Sequence, residues 1–91
     1  MRLKRDRLEI IYDILSLIRS HGNSIRPTPL LRKSNLSTQG FAEYIKELLE
    51  KGFVREMSDS KGKKLYTLTD KGFAYINNYN SIKRFIKDFD L

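Results

Sequence analysis

The first 20 residues alternate apolar and polar positions with the period of an α-helix. One apolar stripe consists of Leu8, Ile11, Tyr12, Leu15 and Ile18. A second apolar row beside it consists of Ile10, Ile14 and Leu17. The pattern predicts a helix over residues 5–20 that ends at Gly22, a residue suited to the left-handed position after a helix. The two rows cover more of the helix than one small core requires, so we expect a partner to cover part of it.

Two further helices are predicted before residue 52. Thr28 is a suitable N-cap, and Pro29 would then occupy the first helical position, where its missing N–H costs nothing. A short helix is therefore expected over residues 28–34. Ser37 caps the next helix, predicted over residues 38–51 and ended by Gly52. The apolar face of that helix consists of Phe41, Ile45, Leu48 and Leu49.

The next segment has the pattern of a two-stranded ribbon followed by a helix. Strand-forming runs over residues 53–57 and 65–68 flank a lysine-rich turn, so the ribbon spans 53–68. Thr69 caps a last helix predicted over residues 70–89. Its apolar residues have coiled-coil a/d spacing and are Tyr75, Tyr79, Ile82, Ile86 and Phe89. We expect this seam to be a homodimer interface; the alternative is that it packs on its own domain.

The order of these elements predicts one domain over residues 1–91, mainly α with a small β-ribbon. A capped helix, a ribbon with a basic tip and a closing helix are the second half of a winged helix-turn-helix. In that fold the capped helix enters a DNA major groove and the ribbon, or wing, contacts the flanking backbone. The C-terminal helix would then serve for dimerisation.

Charge points in the same direction. The net charge of +7 indicates a polyanionic partner. The basic residues are concentrated in three segments, 2–7, 26–33 and 55–64, all at or beside loops. The alternative is a surface charge that serves only solubility.

Composition argues against several other classes of protein. With 32% charged residues, the chain has no apolar run near the ~20 residues of a membrane span, so no membrane partner is expected. It has no cysteine and one histidine, so we expect no disulfide and no ordinary zinc site. A nucleophile with an evident base and a glycine-rich phosphate loop are both missing from the sequence. We therefore expect no enzyme activity, no cofactor and no small-molecule ligand, in a cytoplasmic, nucleoid-associated protein.

The chain resembles an archaeal family of small winged-helix proteins. The segments that carry the resemblance are Lys33-Ser34-Asn35-Leu36-Ser37, Tyr44-Ile45, Leu48, Lys51-Gly52-Phe53 and Leu68-Thr69-Asp70-Lys71-Gly72, and it continues into Tyr75, Tyr79, Ile82, Phe85 and Ile86. The family includes ten-kilodalton basic DNA-binding proteins once grouped with archaeal chromatin proteins, and predicted transcriptional regulators. The resemblance implies DNA binding by the third helix and wing. It also implies a C-terminal helix that pairs with a second copy as an antiparallel coiled coil.

The candidate DNA contacts form three groups. At the start of the third helix, Ser37, Thr38 and Gln39 can bond phosphates or base edges, and Gln can pair with adenine. The alternative for Ser37 is simple helix capping. The alternative for Thr38 and Gln39 is a solvated helix end. The wing lysines expected to contact phosphates are Lys61, Lys63 and Lys64. The remaining candidates are Arg32, Lys33 and Lys46.

Two functions follow from these patterns. The first is a dimeric duplex-DNA-binding protein, either a transcriptional regulator or a chromatin-associated architectural protein. The second is a winged-helix module for protein interaction. The third helix has two lysines and three glutamates, a net charge of 2 − 3 = −1. Because an acidic helix is repelled by phosphates, contacts of the wing and flanking basic residues with the DNA backbone should dominate binding. The basic start, Arg2 to Arg7, is either a minor-groove arm or a disordered tail.

Overall fold

The structure, a computed structural model, describes residues 5–89. Over that range it has four helices and one two-stranded antiparallel sheet. The elements are α1 (Arg7–Ser20), α2 (Pro27–Ser34), α3 (Thr38–Glu50), β1 (Val54–Ser58), β2 (Lys64–Leu68) and α4 (Asp70–Asp88). The predicted order of elements and the mainly α class with a small β-ribbon are confirmed.

Helix α1 forms the centre of the core. It begins after Asp6, whose carboxylate accepts a hydrogen bond from the backbone N–H of Glu9 at 2.8 Å. This cap explains why the helix starts at Arg7 and not at the predicted residue 5. The second apolar row also packs inside this domain, since Ile14 is fully buried and Ile10 and Leu17 pack against the core. The domain itself therefore covers much of this row, and the expectation that a partner covers part of the helix stays a prediction.

Helix α2 starts one residue earlier than predicted. Pro27 occupies the first helical position, and Arg26 is the N-cap, without a side-chain capping bond. Thr28 is therefore inside the helix, and its predicted role as cap is wrong. Pro27 and Pro29 are both suited to the first position of a helix, and Arg26 before Pro27 is the residue that is extended, so the helix begins at Pro27. Asn35 ends α2 in the left-handed conformation, with φ 63°.

The wing is anchored to the loop that follows α1. Strands β1 and β2 pair from Val54↔Leu68 to Ser58↔Lys64, each within one residue of the predicted bounds. Ile25 adds a bridge to Tyr66, with two backbone hydrogen bonds of 3.1 and 2.8 Å. This bridge joins the segment before α2 to the wing, which fixes the wing relative to the helix-turn-helix.

Helix α4 packs on the domain only along its first half. The Thr69 hydroxyl accepts a hydrogen bond from the Gly72 N–H, as the predicted cap requires, and Ile76 is fully buried. Residues 80–89 are all exposed, so the second half of the helix projects from the core. The helix ends at Asp88, with Phe89 as its C-cap. None of the helices in the described range is long and apolar enough to cross a membrane.

Candidate nucleic-acid interface

The first turn of α3 is exposed and carries no charge. The Ser37 hydroxyl accepts a hydrogen bond from the Gly40 N–H at 3.0 Å, so its capping role is confirmed. Thr38 and Gln39 are exposed, while Phe41 turns into the core. A helix N-terminus carries a partial positive charge from its unpaired N–H groups, which favours an approaching anion. This turn therefore offers polar side chains to a polyanion and contains no acidic side chain itself.

The acidic side chain in the middle of α3 is compensated within the molecule. The Glu47 carboxylate is hydrogen-bonded to the Arg7 guanidinium and to Lys51 Nζ, the latter at 2.6 Å. The bond from Arg7, followed by that from Lys51, lowers the pKa of Glu47 to about 2, and the same pairing raises the pKa of Arg7. Arg7 also lies 5.9 Å from the ring centre of Tyr44. The negative charge of Glu47 is thus directed toward α1 and partly cancelled there.

The described part of the basic N-terminal segment contacts the domain. Arg5 donates to the Asp13 carboxylate at 2.8 Å and to the Ser34 carbonyl oxygen at 2.9 Å. Together with the Arg7 bond to α3, these bonds hold residues 5–7 against α2 and α3. Arg2 lies outside the described residues. The alternatives of an arm or a tail therefore concern only residues before Arg5.

Asp59 organises the tip of the wing. Its Oδ1 accepts hydrogen bonds from the backbone N–H groups of Lys61 and Lys63, at 2.8 and 2.9 Å. Its Oδ2 accepts from the Arg26 guanidinium at 2.6 Å. The Arg26 bond is the largest cause of a lowered Asp59 pKa, followed by the Lys63 N–H. Gly62 has φ 79°, a conformation that glycine adopts without strain, and it closes the turn.

The wing lysines differ in how they are held. Lys61 and Lys63 are exposed at the tip and form no ion pair within residues 5–89. Lys64 lies in β2, and its Nζ is 3.4 Å from the Glu56 carboxylate across the ribbon. Lys61 and Lys63 are therefore the more available cations for a phosphate.

A groove of about 410 Å³ runs between α3 and the wing. Its lining residues include Thr38, Ala42, Lys46, Leu49, Glu56, Lys64 and Tyr66. The fold thus brings three candidate residues from two distant segments of sequence, Thr38, Lys46 and Lys64, to one concave surface.

The two candidates at the end of α2 lie apart from this groove. Lys33 lines a separate cleft with Arg5, Asp13 and Arg19. Arg32 is exposed on the same turn of α2.

The five candidate residues of the dimer seam fall into two groups. The Tyr75 hydroxyl donates to the Leu8 carbonyl oxygen at 2.8 Å, and the Tyr79 ring stacks on Tyr12 with centres 4.4 Å apart. These two tyrosines therefore pack on their own domain. The other three members, Ile82, Ile86 and Phe89, are exposed, and so is their neighbour Phe85. An apolar groove of about 340 Å³, lined in part by Leu8, Tyr79 and Ile82, continues from the packed part to the exposed part.

Sequence reasoning missed the contacts that three charged residues make beside α3 and the wing: Arg7, Arg26 and Asp59. Asp59 had a detectable signal, because the side chain of Asp in a turn commonly bonds the backbone two residues on. The Arg26–Asp59 and Arg7–Glu47 pairs join residues 33 and 40 positions apart, and no local pattern indicates such pairs. No group of three or more potential metal ligands occurs among residues 5–89.

Comparison with known proteins begins with the sequence. A family profile described as winged helix-turn-helix matches residues 4–87. An uncharacterized protein of Methanocaldococcus jannaschii is 31% identical over 84 residues, which are 92% of this chain; the chain spans 36% of that protein's length.

Two solved structures share the fold. Sso10a-2, a DNA-binding protein from Sulfolobus solfataricus, has a TM-score of 0.74 at 19% identity, covering 93% of this chain and 85% of its own. F93 from STIV, a winged-helix DNA-binding protein, has a TM-score of 0.73 at 21% identity, and the match covers 89% of this chain and 92% of F93. These matches confirm the winged-helix fold predicted from the sequence.

Proposed function

Because this chain belongs to the winged helix-turn-helix family, we propose that it binds duplex DNA with α3 in the major groove and the wing on the flanking backbone. The observation that carries the proposal is the uncharged, exposed first turn of α3 beside a wing whose tip presents Lys61 and Lys63. In helix-turn-helix proteins the N-terminal residues of this helix contact base edges. Two proteins of the same fold are named as DNA-binding, which supports the same role here.

The charge distribution favours backbone contacts over base readout. Glu43 and Glu50 remain exposed on α3 against one lysine, Lys46, so the part of the helix after its first turn is repelled by phosphates. Thr38 and Gln39 lie before these acids and are the side chains that we propose to reach bases. Affinity then comes mainly from the lysines of the wing and groove, with Arg32 and Lys33 as further backbone contacts at the end of α2.

Salt dependence tests this mode of binding. Fluorescence anisotropy on a labelled random duplex, repeated across salt concentrations, gives the slope of log K against log salt. The triple variant Lys61→Gln, Lys63→Gln, Lys64→Gln should weaken binding and flatten this slope by about 0.9 for each phosphate that the variant no longer neutralises. Because Lys64 is already paired with Glu56, we expect it to contribute the least of the three.

A matched control removes the same charge elsewhere. Lys83, Arg84 and Lys87 are exposed on the projecting half of α4, and their replacement by Gln should leave the slope nearly unchanged. A wing variant that binds as well as the parent at every salt concentration would show that the wing does not touch DNA.

Gln39 is the proposed base-reading residue. Gln39→Ala should change the preference among competing duplexes more than the overall affinity, because one bidentate pair with adenine is worth about 1–3 kcal/mol of discrimination. Competition among duplexes that differ at single base pairs measures this effect. An unchanged order of preference would remove Gln39 from the proposed readout.

We also propose that the chain acts as a homodimer through the exposed half of α4. Four large apolar side chains on this half remain largely exposed within the described chain, and such surfaces usually mark an interface. A dimer carries two α3–wing surfaces, which suits a regulator on paired half-sites and an architectural protein on two DNA segments. Footprints at discrete sites favour the regulator, and uniform coverage favours the architectural role. Nucleoid association would follow from either.

A protein-interaction module is the second candidate. It is favoured by the apolar lining of the α3–wing groove, where Leu49 and Tyr66 contribute, and by the exposed acids of α3. Failure of the wing lysines to affect DNA binding would make this the better proposal.

A further inference from the structure

Asp59 places a carboxylate at the tip of the surface that we propose binds a polyanion. A carboxylate near a phosphate backbone repels it, so an acid in this position requires a compensating role. The neighbouring acid on the ribbon, Glu56, is exposed and pairs with Lys64 at 3.4 Å. Asp59 differs because its side chain is only 19% exposed and both of its oxygens accept hydrogen bonds.

The two oxygens of Asp59 act on different parts of the protein. Oδ1 binds the backbone N–H groups of the two tip lysines, Lys61 and Lys63, so it sets the path of the turn that carries them. Oδ2 binds the guanidinium of Arg26, the residue that caps α2. The same side chain therefore shapes the tip and ties it to the first helix of the helix-turn-helix.

We propose that Asp59 is a positioning residue for DNA binding, which holds the backbone of Lys61 and Lys63 in the conformation that meets the phosphates. This inference rests on the proposed function. A tip that is ordered before binding loses less conformational freedom in the complex, and such preorganisation increases affinity. Arg26 offsets the negative charge, so the cost of an acid beside DNA is reduced.

Two substitutions separate positioning from charge. Asp59→Asn keeps an Oδ1 acceptor for the two lysine N–H groups, but it removes the negative charge and, with an NH2 group in place of Oδ2, the acceptor for Arg26. Asp59→Ala removes the charge and both acceptors. If charge alone mattered, both variants would bind duplex more tightly than the parent. If Asp59 positions the tip, Asp59→Asn binds at least as tightly as the parent and Asp59→Ala binds about five- to tenfold more weakly.

Glu56→Ala is the matched control, because it removes an acid from the same ribbon without removing a bond to the tip backbone. It should bind DNA more tightly than the parent. Amide hydrogen exchange gives a readout that does not require DNA: the N–H groups of Lys61 and Lys63 should exchange slowly in the parent and Asp59→Asn, and rapidly in Asp59→Ala. Circular dichroism and thermal unfolding establish that each variant is folded.

The outcomes distinguish this inference from the proposed function. A parent chain that binds no duplex at any salt concentration overturns the proposed function and this inference with it. A parent that binds, together with Asp59→Ala binding more tightly as Glu56→Ala does, overturns only the positioning role. Unprotected lysine amides in the parent would overturn that role as well.

Discussion

Replacing Ile82 and Ile86 by Asp should convert a dimer into a folded monomer. Both side chains lie on the projecting half of α4, where they are 58% and 43% exposed. Phe85 and Phe89, on the same side of the helix, are 52% and 64% exposed. A second copy that covered this surface would bury the remaining area of all four residues.

The magnitude follows from these exposures. Full burial of such a side chain contributes about 1.5–3 kcal/mol, so covering the exposed half of each contributes about 0.8–1.6 kcal/mol. Over eight side chains of two protomers the gross gain is about 6–13 kcal/mol, which is of the same order as the cost of association. A loss of a few kcal/mol is therefore expected to dissociate the dimer. Two aspartates per chain would place four charges in the interface and remove the net gain.

Sedimentation over a range of protein concentrations measures the association, and circular dichroism follows the fold. The variant should keep the core, because Ile76 and the stacked Tyr79 hold the first half of α4 on its own domain. Asn77→Asp with Asn80→Asp is the matched control, since helical spacing places these exposed polar residues on the side of α4 away from the apolar surface. The reasoning fails if the parent sediments as a monomer at high concentration, or if the double isoleucine variant remains a dimer.

Two further predictions concern the stability of the fold. The pKa of Glu47 is lowered from 4.5 to about 2, so the stabilisation from its pairing is complete above pH 4.5 and is lost as the pH falls toward 2. Urea unfolding at neutral pH and between pH 2 and 4.5 should show that the free energy of unfolding depends less on pH in Glu47→Gln than in the parent. An equal pH dependence in both proteins would contradict the stabilising role of the Glu47 pairs. Gly72→Ala should destabilise the protein by about 1–3 kcal/mol although Ala favours helix, because its Cβ would lie 2.4 Å from the Phe53 carbonyl oxygen and 3.2 Å from Leu68 Cδ2. Urea unfolding measures this loss too, and an equal or more stable variant would show that α4 shifts without cost.

Features that depend on neighbours within four residues could be predicted from the sequence. Ser37 and Thr69 each cap a helix through an N–H three residues later, and both caps are confirmed. The same holds for the apolar face of α3, which the helical period predicts, and for the bounds of the two strands, which lie within one residue of the prediction. The predicted start of α2 was wrong because two prolines competed for the first helical position, and only the bridge at Ile25 and the extended Arg26 show which one begins the helix.

Tertiary structure decided which residues of the C-terminal seam pack on their own domain and which charged side chains of the candidate site are paired. Tyr79 and Ile82 have the same sequence periodicity, yet Tyr79 stacks on Tyr12 while Ile82 lies beyond the end of that contact. The pairs Arg7–Glu47 and Arg26–Asp59 cross 40 and 33 positions of sequence. Helical and strand periods describe an element by itself, whereas the partner of a long charged side chain is set by where the chain returns in space. The sequence by itself therefore determined the winged-helix elements and their buried faces, and the tertiary structure decided which charges remain available to a ligand.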